Sequence, residues 1–483
     1  MAENNLKKNL NPIQVWSIAF GCIIGWGSFV NPGKKFLPNS GVAGTAVAML
    51  LGALVMIIIA FSYAYMVPKY PRAGGEFTFT KVCFGKHAAF FCGWFLLAAY
   101  LTNVPMNSTA IGLIVDGIDG TADILKFGFH YQVAGFEVWF GEVILATFIL
   151  LLFGFMNIIG VKKAGIIQTM LSTLLAICAF ALCIAGFVSA KANSINMEPI
   201  WGFDKGAIVP GTVVDIEQYA HSGSGGIISA ILATFAIAPW AFVGFDTIPQ
   251  VSEEFKFSYK KVLGIMVVAI MFGCFVYISN NTVTAAALNN WPERVLAGEW
   301  VLLVAAEELL GIFGKILVGV GVSCAVLSGI MGFYLASSRL MYSMGQEGYL
   351  PSIFGKVDKK YGTPKNAIIF CVIVSLAGPI LGREALGWFV DMSAIGASIG
   401  FMFTCAATVV TSKRDNDSSV FLKIMAYIGV GFSVCFMILQ LIPIPGLPSV
   451  HFGTESYIML LVWVALGVIF YFKKRSAIGG LKS

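Results

Sequence analysis

Apolar stretches of about 18 or more residues recur along the whole of this 483-residue chain, and no other feature limits its fold so strongly. They predict an all-α polytopic membrane protein with about 12 spans. The spans fall near residues 13–37, 42–66, 88–115, 140–159, 165–189, 226–249, 261–287, 312–344, 366–381, 384–411, 421–443 and 455–472. Two of them are interrupted at matching places. The first contains Gly21-Cys22-Ile23-Ile24-Gly25-Trp26-Gly27-Ser28, and the sixth contains Ala238-Pro239-Trp240-Ala241-Phe242-Val243-Gly244-Phe245-Asp246. A helix in lipid must satisfy its own backbone, so such breaks survive at mid-depth only where they line a cavity. Breaks in corresponding segments of two halves point to a solute site.

Composition agrees: 58% of the residues are hydrophobic and 12% charged, against roughly 25% charged in soluble domains. The net charge of +6 is topological and gives no reason to expect nucleic acid. With cytoplasmic termini and twelve spans, roughly 23 of the 31 Lys and Arg residues fall inside, as the positive-inside bias requires. They include Lys7, Lys8, Lys69, Arg72, Lys162, Lys163, Lys260, Lys261, Lys359, Lys360 and Lys473-Lys474-Arg475, whereas Asp116, Asp119, Asp123, Asp215, Glu217, Glu293 and Glu299 face out. Lys34 and Lys35 run against the trend. The expected location is a plasma membrane, of the bacterial inner type. The polar N-terminus runs straight into the first span, which acts as the insertion signal, with no cleavable leader expected.

None of the ten cysteines falls in an outward loop, so neither a disulfide nor a disulfide-linked accessory subunit is expected. No cysteine or histidine spacing suggests a metal or redox site, and no cofactor is expected. Asn107-Ser108-Thr109 and Asn280-Asn281-Thr282 lie within spans and are not glycosylation sites. No nucleophile–base pair, metal cluster or phosphate loop appears, which argues against an enzyme.

If the broken first helix opens one five-helix unit, the broken sixth opens another of opposite orientation, because five is odd. The expected layout is a cytoplasmic segment at 1–12, a first repeat at 13–189, an extracellular loop at 190–225 and a second repeat at 226–411. Two further spans follow at 412–472, then a cytoplasmic tail at 473–483. The outward segment 116–139 has room for short helices. Residues 302–310 are expected to lie as a helix over the outer mouth. The inward segment 67–87 reads as a short interfacial helix.

Five local motifs occur in order: Gly25-Trp26-Gly27-Ser28-Phe29; Pro71-Arg72-Ala73-Gly74-Gly75-Glu76-Phe77 with Phe84-Gly85; Phe242-Val243-Gly244-Phe245-Asp246 with Glu253-Glu254; Ser337-Ser338-Arg339-Leu340-Met341-Tyr342 with Met344, Gly348 and Pro351; and Tyr361-Gly362-Thr363-Pro364. Together they resemble the amino acid–polyamine–organocation permeases, from about Asn11 to Pro364 and more weakly beyond. The resemblance implies a five-plus-five inverted repeat (the LeuT-like fold) with discontinuous helices 1 and 6. Trp26 departs from the small residue usual between the two glycines, and either narrows the pocket or points to lipid or a neighbouring helix.

An amino acid needs donors for its carboxylate and acceptors for its ammonium, and a broken helix offers both from its free ends. By the resemblance, the amides of Trp26, Gly27 and Ser28, beside Gly25, take the carboxylate. The carbonyls of Ile23, Trp240 and Val243 take the ammonium. Asn103 holds the position of a polar side chain facing substrate, with an interhelical hydrogen bond as the equal alternative. Asp246, ionisable at the inner end of helix six, is a candidate proton relay. A lysine that some relatives carry in helix five is replaced by Leu175. A sodium site would use the carbonyls of Gly21, Ile24 and Ala325 with the Ser328 hydroxyl. Proton coupling, exchange and sodium coupling are all open, in that order. The function expected is a secondary transporter of small neutral amino acids by alternating access, touching only its solute and membrane lipids. The rivals are an amine or polyamine permease and a non-transporting amino-acid sensor.

Overall fold

Because a chain in hydrocarbon has no water to bond its amides, the apolar runs fold as helices that close their own hydrogen bonds. The computed structural model describes residues 6–119, 124–189, 191–208, 215–383, 385–416, 419–444 and 451–480. The acidic residue Asp123 and part of the 190–225 segment lie outside them.

The first span is divided into α1 (Pro12–Ile23) and α2 (Gly27–Asn31), and the second is α3 (Leu37–Lys69). The third is α4 (Gly75–Asp119), followed by α5 (Phe140–Ile159) and α6 (Val161–Val188). The sixth is split into α7 (Gly223–Phe235), α8 (Ala238–Ala241) and α9 (Thr247–Gln250). Then come α10 (Val262–Ala287), the short α11 (Trp291–Leu296) and α12 (Val301–Leu310), and α13 (Ile312–Gln346). The chain ends with α14 (Lys365–Ser375), α15 (Ala377–Leu381), α16 (Ala385–Arg414), α17 (Val420–Leu441) and α18 (Thr454–Gly480). Among the described residues nine helices are long and apolar enough to cross a membrane, and three shorter apolar helices cover Pro12–Ile23, Gly223–Phe235 and Lys365–Leu381. The protein is an integral multi-pass membrane protein.

The short helix expected in the inward segment is present: residues 75–84 of α4 are helical, and a non-helical break at Gly85 (φ 80°, ψ −171°) sets them off from the span that follows. One local expectation changes. The outer segment 116–139 holds a hairpin of β1 (His130–Val133) on β2 (Phe136–Trp139), antiparallel, where short helices were expected. Alternating His130-Tyr131-Gln132-Val133 and a turn at Ala134-Gly135, both at positive φ, favour the strands. Residues 302–310 do form a helix, as part of α12.

Helix α4 stands at the centre, packed on α13 and α16; α1 lies against α6, α10 and α13, and α3 against α7 and α10. The apolar surface left over runs along the outward faces of α5 and α6, where Phe148, Phe155, Ile177, Ile184 and Phe187 are all exposed. Stripes of that size are untenable in water and are natural against acyl chains.

Candidate functional site

Helix α1 begins firmly. Asn11 and Gln14 cap one another reciprocally at 2.9 and 3.0 Å, and Pro12 fills the first turn. It ends with the Ile24 amide on the Phe20 carbonyl at 2.9 Å. The amides of Gly25, Trp26 and Gly27 then have no hydrogen-bond partner among the described residues. Side chains staple the broken ends. Ser28 Oγ donates to the Gly25 carbonyl at 3.0 Å, Tyr277 Oη to the Ile23 carbonyl at 3.2 Å and Asn280 Nδ2 to the Ser28 carbonyl at 2.9 Å. Tyr277 and Asn280 both stand on α10, which explains polar residues in the middle of an apolar span.

The sixth span is broken by its own means. Pro239 lies in the first turn of the single-turn α8, and Gly244 takes φ +146°, which side-chain-bearing residues rarely adopt. A Cβ there would fall 2.6 Å from the Ile23 amide nitrogen and 2.7 Å from the Ala19 carbonyl, so the two breaks back directly onto each other. Asp246 holds the turn: Oδ1 accepts from the Gly244 amide at 2.7 Å and Oδ2 from Tyr100 Oη at 3.0 Å. Thr247 Oγ1 donates to the Gly244 carbonyl at 2.6 Å.

Between the breaks lies a cavity of about 10 Å³, lined by Ile23, Gly25, Trp26, Asn103, Met106, Asn107, Trp240 and Tyr277 with Cys22. That is the space of a single water-sized sphere, so the site is contracted. The rings of Trp26 and Trp240 face each other across it, 6.2 Å apart at their centroids. Trp26 thus points into the cavity rather than to lipid, and its indole N–H is buried without a partner. Larger hollows of about 310 and 290 Å³ lie between α4 and α18 and between α6 and α10, but no set of polar groups converges on either.

Of the expected substrate residues, Ile23, Gly25, Trp26, Asn103 and Trp240 meet at the cavity; Gly27, Ser28 and Val243 do not line it. Gly27 lies directly beneath the Trp240 ring. Asn103 spends its amide nitrogen on Ala99 at 2.7 Å and Ser393 at 2.6 Å, an interhelical tie to α16. The Trp240 carbonyl accepts the Val243 amide at 3.2 Å. Asn107 is the residue that sequence reasoning missed. It donates to the Asn103 carbonyl at 2.8 Å, leaving Oδ1 buried at the cavity without a donor. The i, i+4 spacing of Asn103 and Asn107 on one face of α4 was the available signal.

At the proposed sodium group, Ser328 Oγ lies 3.1 Å from the Ala325 carbonyl and 3.4 Å from that of Gly21. The Gln168 amide nitrogen, bonded to the Ser17 carbonyl at 3.0 Å, lies against Gly21. Even with the Ile24 carbonyl, four oxygens fall short of the six or so that hard cations take, and an amide donor stands beside them.

Two sets of ties flank the breaks. At one, Glu254 binds Arg339 Nε at 2.9 Å, and its carbonyl accepts the amides of Asn9 and Leu10 at 2.9 and 3.0 Å. At the other, Trp300 Nε1 donates to the Phe29 carbonyl at 2.8 Å, and Arg383 bridges Asp116 and Glu142.

Two broken helices that meet at a small buried cavity within a bundle of apolar helices define the class: a polytopic membrane protein with discontinuous spans. The chain belongs to the amino acid permease family, whose profile matches residues 10–470. It is similar to human large neutral amino acids transporter small subunit 2, at 28% identity over 77% of this chain and 64% of that one. It therefore spans about 64% of the length of such relatives. It is 23% identical to the Bacillus subtilis branched-chain amino acid permease BcaP, over 97% of this chain and 93% of that one. It is also 23% identical to the Bacillus subtilis methylthioribose transporter, over 97% and 94%.

The pair of indoles yields a specificity test. Replacing Trp26 by Ala is expected to enlarge the site, so that leucine and phenylalanine compete for uptake about tenfold better relative to alanine. Competition curves in vesicles check this, and an unchanged ranking overturns the role given to Trp26.

Proposed function

We propose that this protein is a secondary transporter of small neutral amino acids that works by alternating access of two five-helix repeats across the plasma membrane. The observation that carries it is the set of unpartnered amides at Gly25, Trp26 and Gly27, beside a closed cavity with no carboxylate in its lining among the described residues. The amides of Trp26, Gly27 and Ser28 receive the substrate carboxylate. The carbonyls of Ile23, Trp240 and Val243 receive the ammonium, joined by Asn107 Oδ1. The apposed indoles favour a small side chain. An amine or polyamine would want a protein carboxylate in that lining, so the zwitterion reading is preferred.

Helix packing supports the repeat. The contacts come in pairs that exchange when the first five helices are swapped for the second five. Helix α1 on α6 has its twin in α8 on α16; α1 on α10 in α7 on α3; and α4 on α16 in α13 on α6. Transport then requires the Glu254–Arg339 closure and the Phe29–Trp300 closure to open in turn. The lysine-rich loops favour a cytoplasmic side for both termini. Protons are the preferred coupling ion, relayed through Asp246 at the inner end of helix six, ahead of exchange and of sodium. The outer segments carry no cysteine, so a disulfide-linked subunit is not proposed.

The test is uptake by proteoliposomes, with the twenty amino acids and methylthioribose as competitors and with sodium and pH varied independently. Saturable accumulation of alanine or serine, driven by an acid exterior and indifferent to sodium, is the expected result. Failure to accumulate or exchange any labelled amino acid under any gradient overturns the reading.

A further inference from the structure

Below the cavity, a second buried carboxylate has no part in the site described. Glu76, at the inner start of α4, is fully buried. Its Oε1 accepts from Tyr63 Oη at 2.7 Å and its Oε2 meets the Gln250 side-chain amide at 2.6 Å. Tyr63 stands on α3 and Gln250 on α9, and Gly400 of α16 lies against the Glu76 side chain. The other titratable groups facing it are Tyr100, Cys92 and Asp246. No lysine, arginine or histidine forms an ion pair with Glu76 or Asp246 among the described residues. Two adjacent carboxyl groups, both out of water and without a cation, are not both held ionised.

Their partners separate their roles. Asp246 is an acceptor on both oxygens, from a backbone amide and a tyrosine hydroxyl, and a proton on it would cost one of those bonds. Glu76 differs, because a carboxamide can turn over and present either N–H or C=O. Gln250 Oε1 is buried with no donor, so the carboxamide, turned over, can accept from a protonated Glu76 as it now donates to the carboxylate. Gln250 therefore serves Glu76 whether or not it carries a proton. The geometry points to Glu76 as the resting place of the coupling proton, held while the inner face is shut and released to the cytoplasm when it opens. Tyr100, which is bonded to Asp246, gives its hydroxyl proton to Glu76 as it takes one from a transiently protonated Asp246, so the phenol ends unchanged, and Glu76 returns to carboxylate when it reaches inner water. This rests on the transport reading above and names the residue that couples it.

The experiment compares two modes in proteoliposomes containing the full chain and labelled alanine. One mode is counterflow without an ion gradient; the other is accumulation driven by an acid exterior. Glu76→Gln is expected to keep counterflow within about threefold and to lose at least tenfold of the driven accumulation. Glu76→Asp, which keeps a carboxyl, is expected to retain accumulation with a displaced pH profile, and to move the infrared band of the buried protonated acid. The inference is overturned if Glu76→Gln accumulates alanine like the wild type, if it loses both modes equally, or if Glu76→Asp leaves the band unmoved. Wild-type counterflow with no response to pH overturns the inference alone. Absence of counterflow in the wild type overturns the transport reading and this inference with it.

Discussion

Replacing Gly27 by Ala is expected to cut alanine uptake by at least tenfold while the protein still reaches the membrane. A Cβ at this position runs into the six-membered ring of Trp240 and comes within 3.1 Å of Asn31 Nδ2. Nothing soft is available to yield: Trp240 is packed in the core with its neighbours Ala238 and Ala241, all nearly inaccessible. Overpacking of this kind costs about 1–3 kcal/mol. The strain acts most where the indole must settle over the break around substrate, so it is expected mainly in the transport rate. The second-site control is Trp240→Leu, which removes the obstructing ring. If Gly27→Ala costs as much in that background as in the wild type, the clash with Trp240 is not its cause. Binding measured by thermal shift, alongside flux, separates loss of the site from loss of movement.

How far the sequence went follows from what its signals are. Span positions were legible because a membrane demands long apolar runs, and nearly every run became a helix. The two breaks were legible because glycine and proline act locally; Gly25 and Gly244 interrupt their helices in the structure. Partners were not legible. Tyr277 and Asn280 staple the first break from a helix some 250 residues away, and no local signal says which carbonyl such a side chain will meet. Glu76 was quoted as part of a loop motif, yet its burial depends on Tyr63 and Gln250 arriving from two other helices. The outer hairpin was missed for a different reason. Residues 130–139 alternate in polarity over only four positions per strand, too short a period to stand out beside spans of twenty.

The inner closure gives the second large effect. Arg339 and Glu254 are 0% and 1% exposed, joined at 2.9 Å, and Arg339 Nη1 adds a bond to Ser338 Oγ at 3.0 Å. Removing one member of a buried pair leaves an uncompensated charge, so Arg339→Met is expected to destabilise the protein by about 3–5 kcal/mol. Arg339→Met with Glu254→Leu removes both charges and is expected to recover most of that loss, because apolar residues of similar size often replace a buried pair at little cost. The sign of the pH dependence separates the two variants. Burial raises the Glu254 carboxyl above its ordinary range, and the Arg339 guanidinium opposes that rise. Without Arg339, burial and the neighbouring Glu253 charge remain and both raise it, so the folded protein holds the proton more tightly than the unfolded chain. The single variant is therefore most stable at low pH and loses stability as pH rises through the raised value. The double variant has no such slope. Thermal unfolding in detergent between pH 5 and 8 checks both. A single variant equally stable across that range would show that Glu254 is not a stranded charge and that the inner face is not held by this pair.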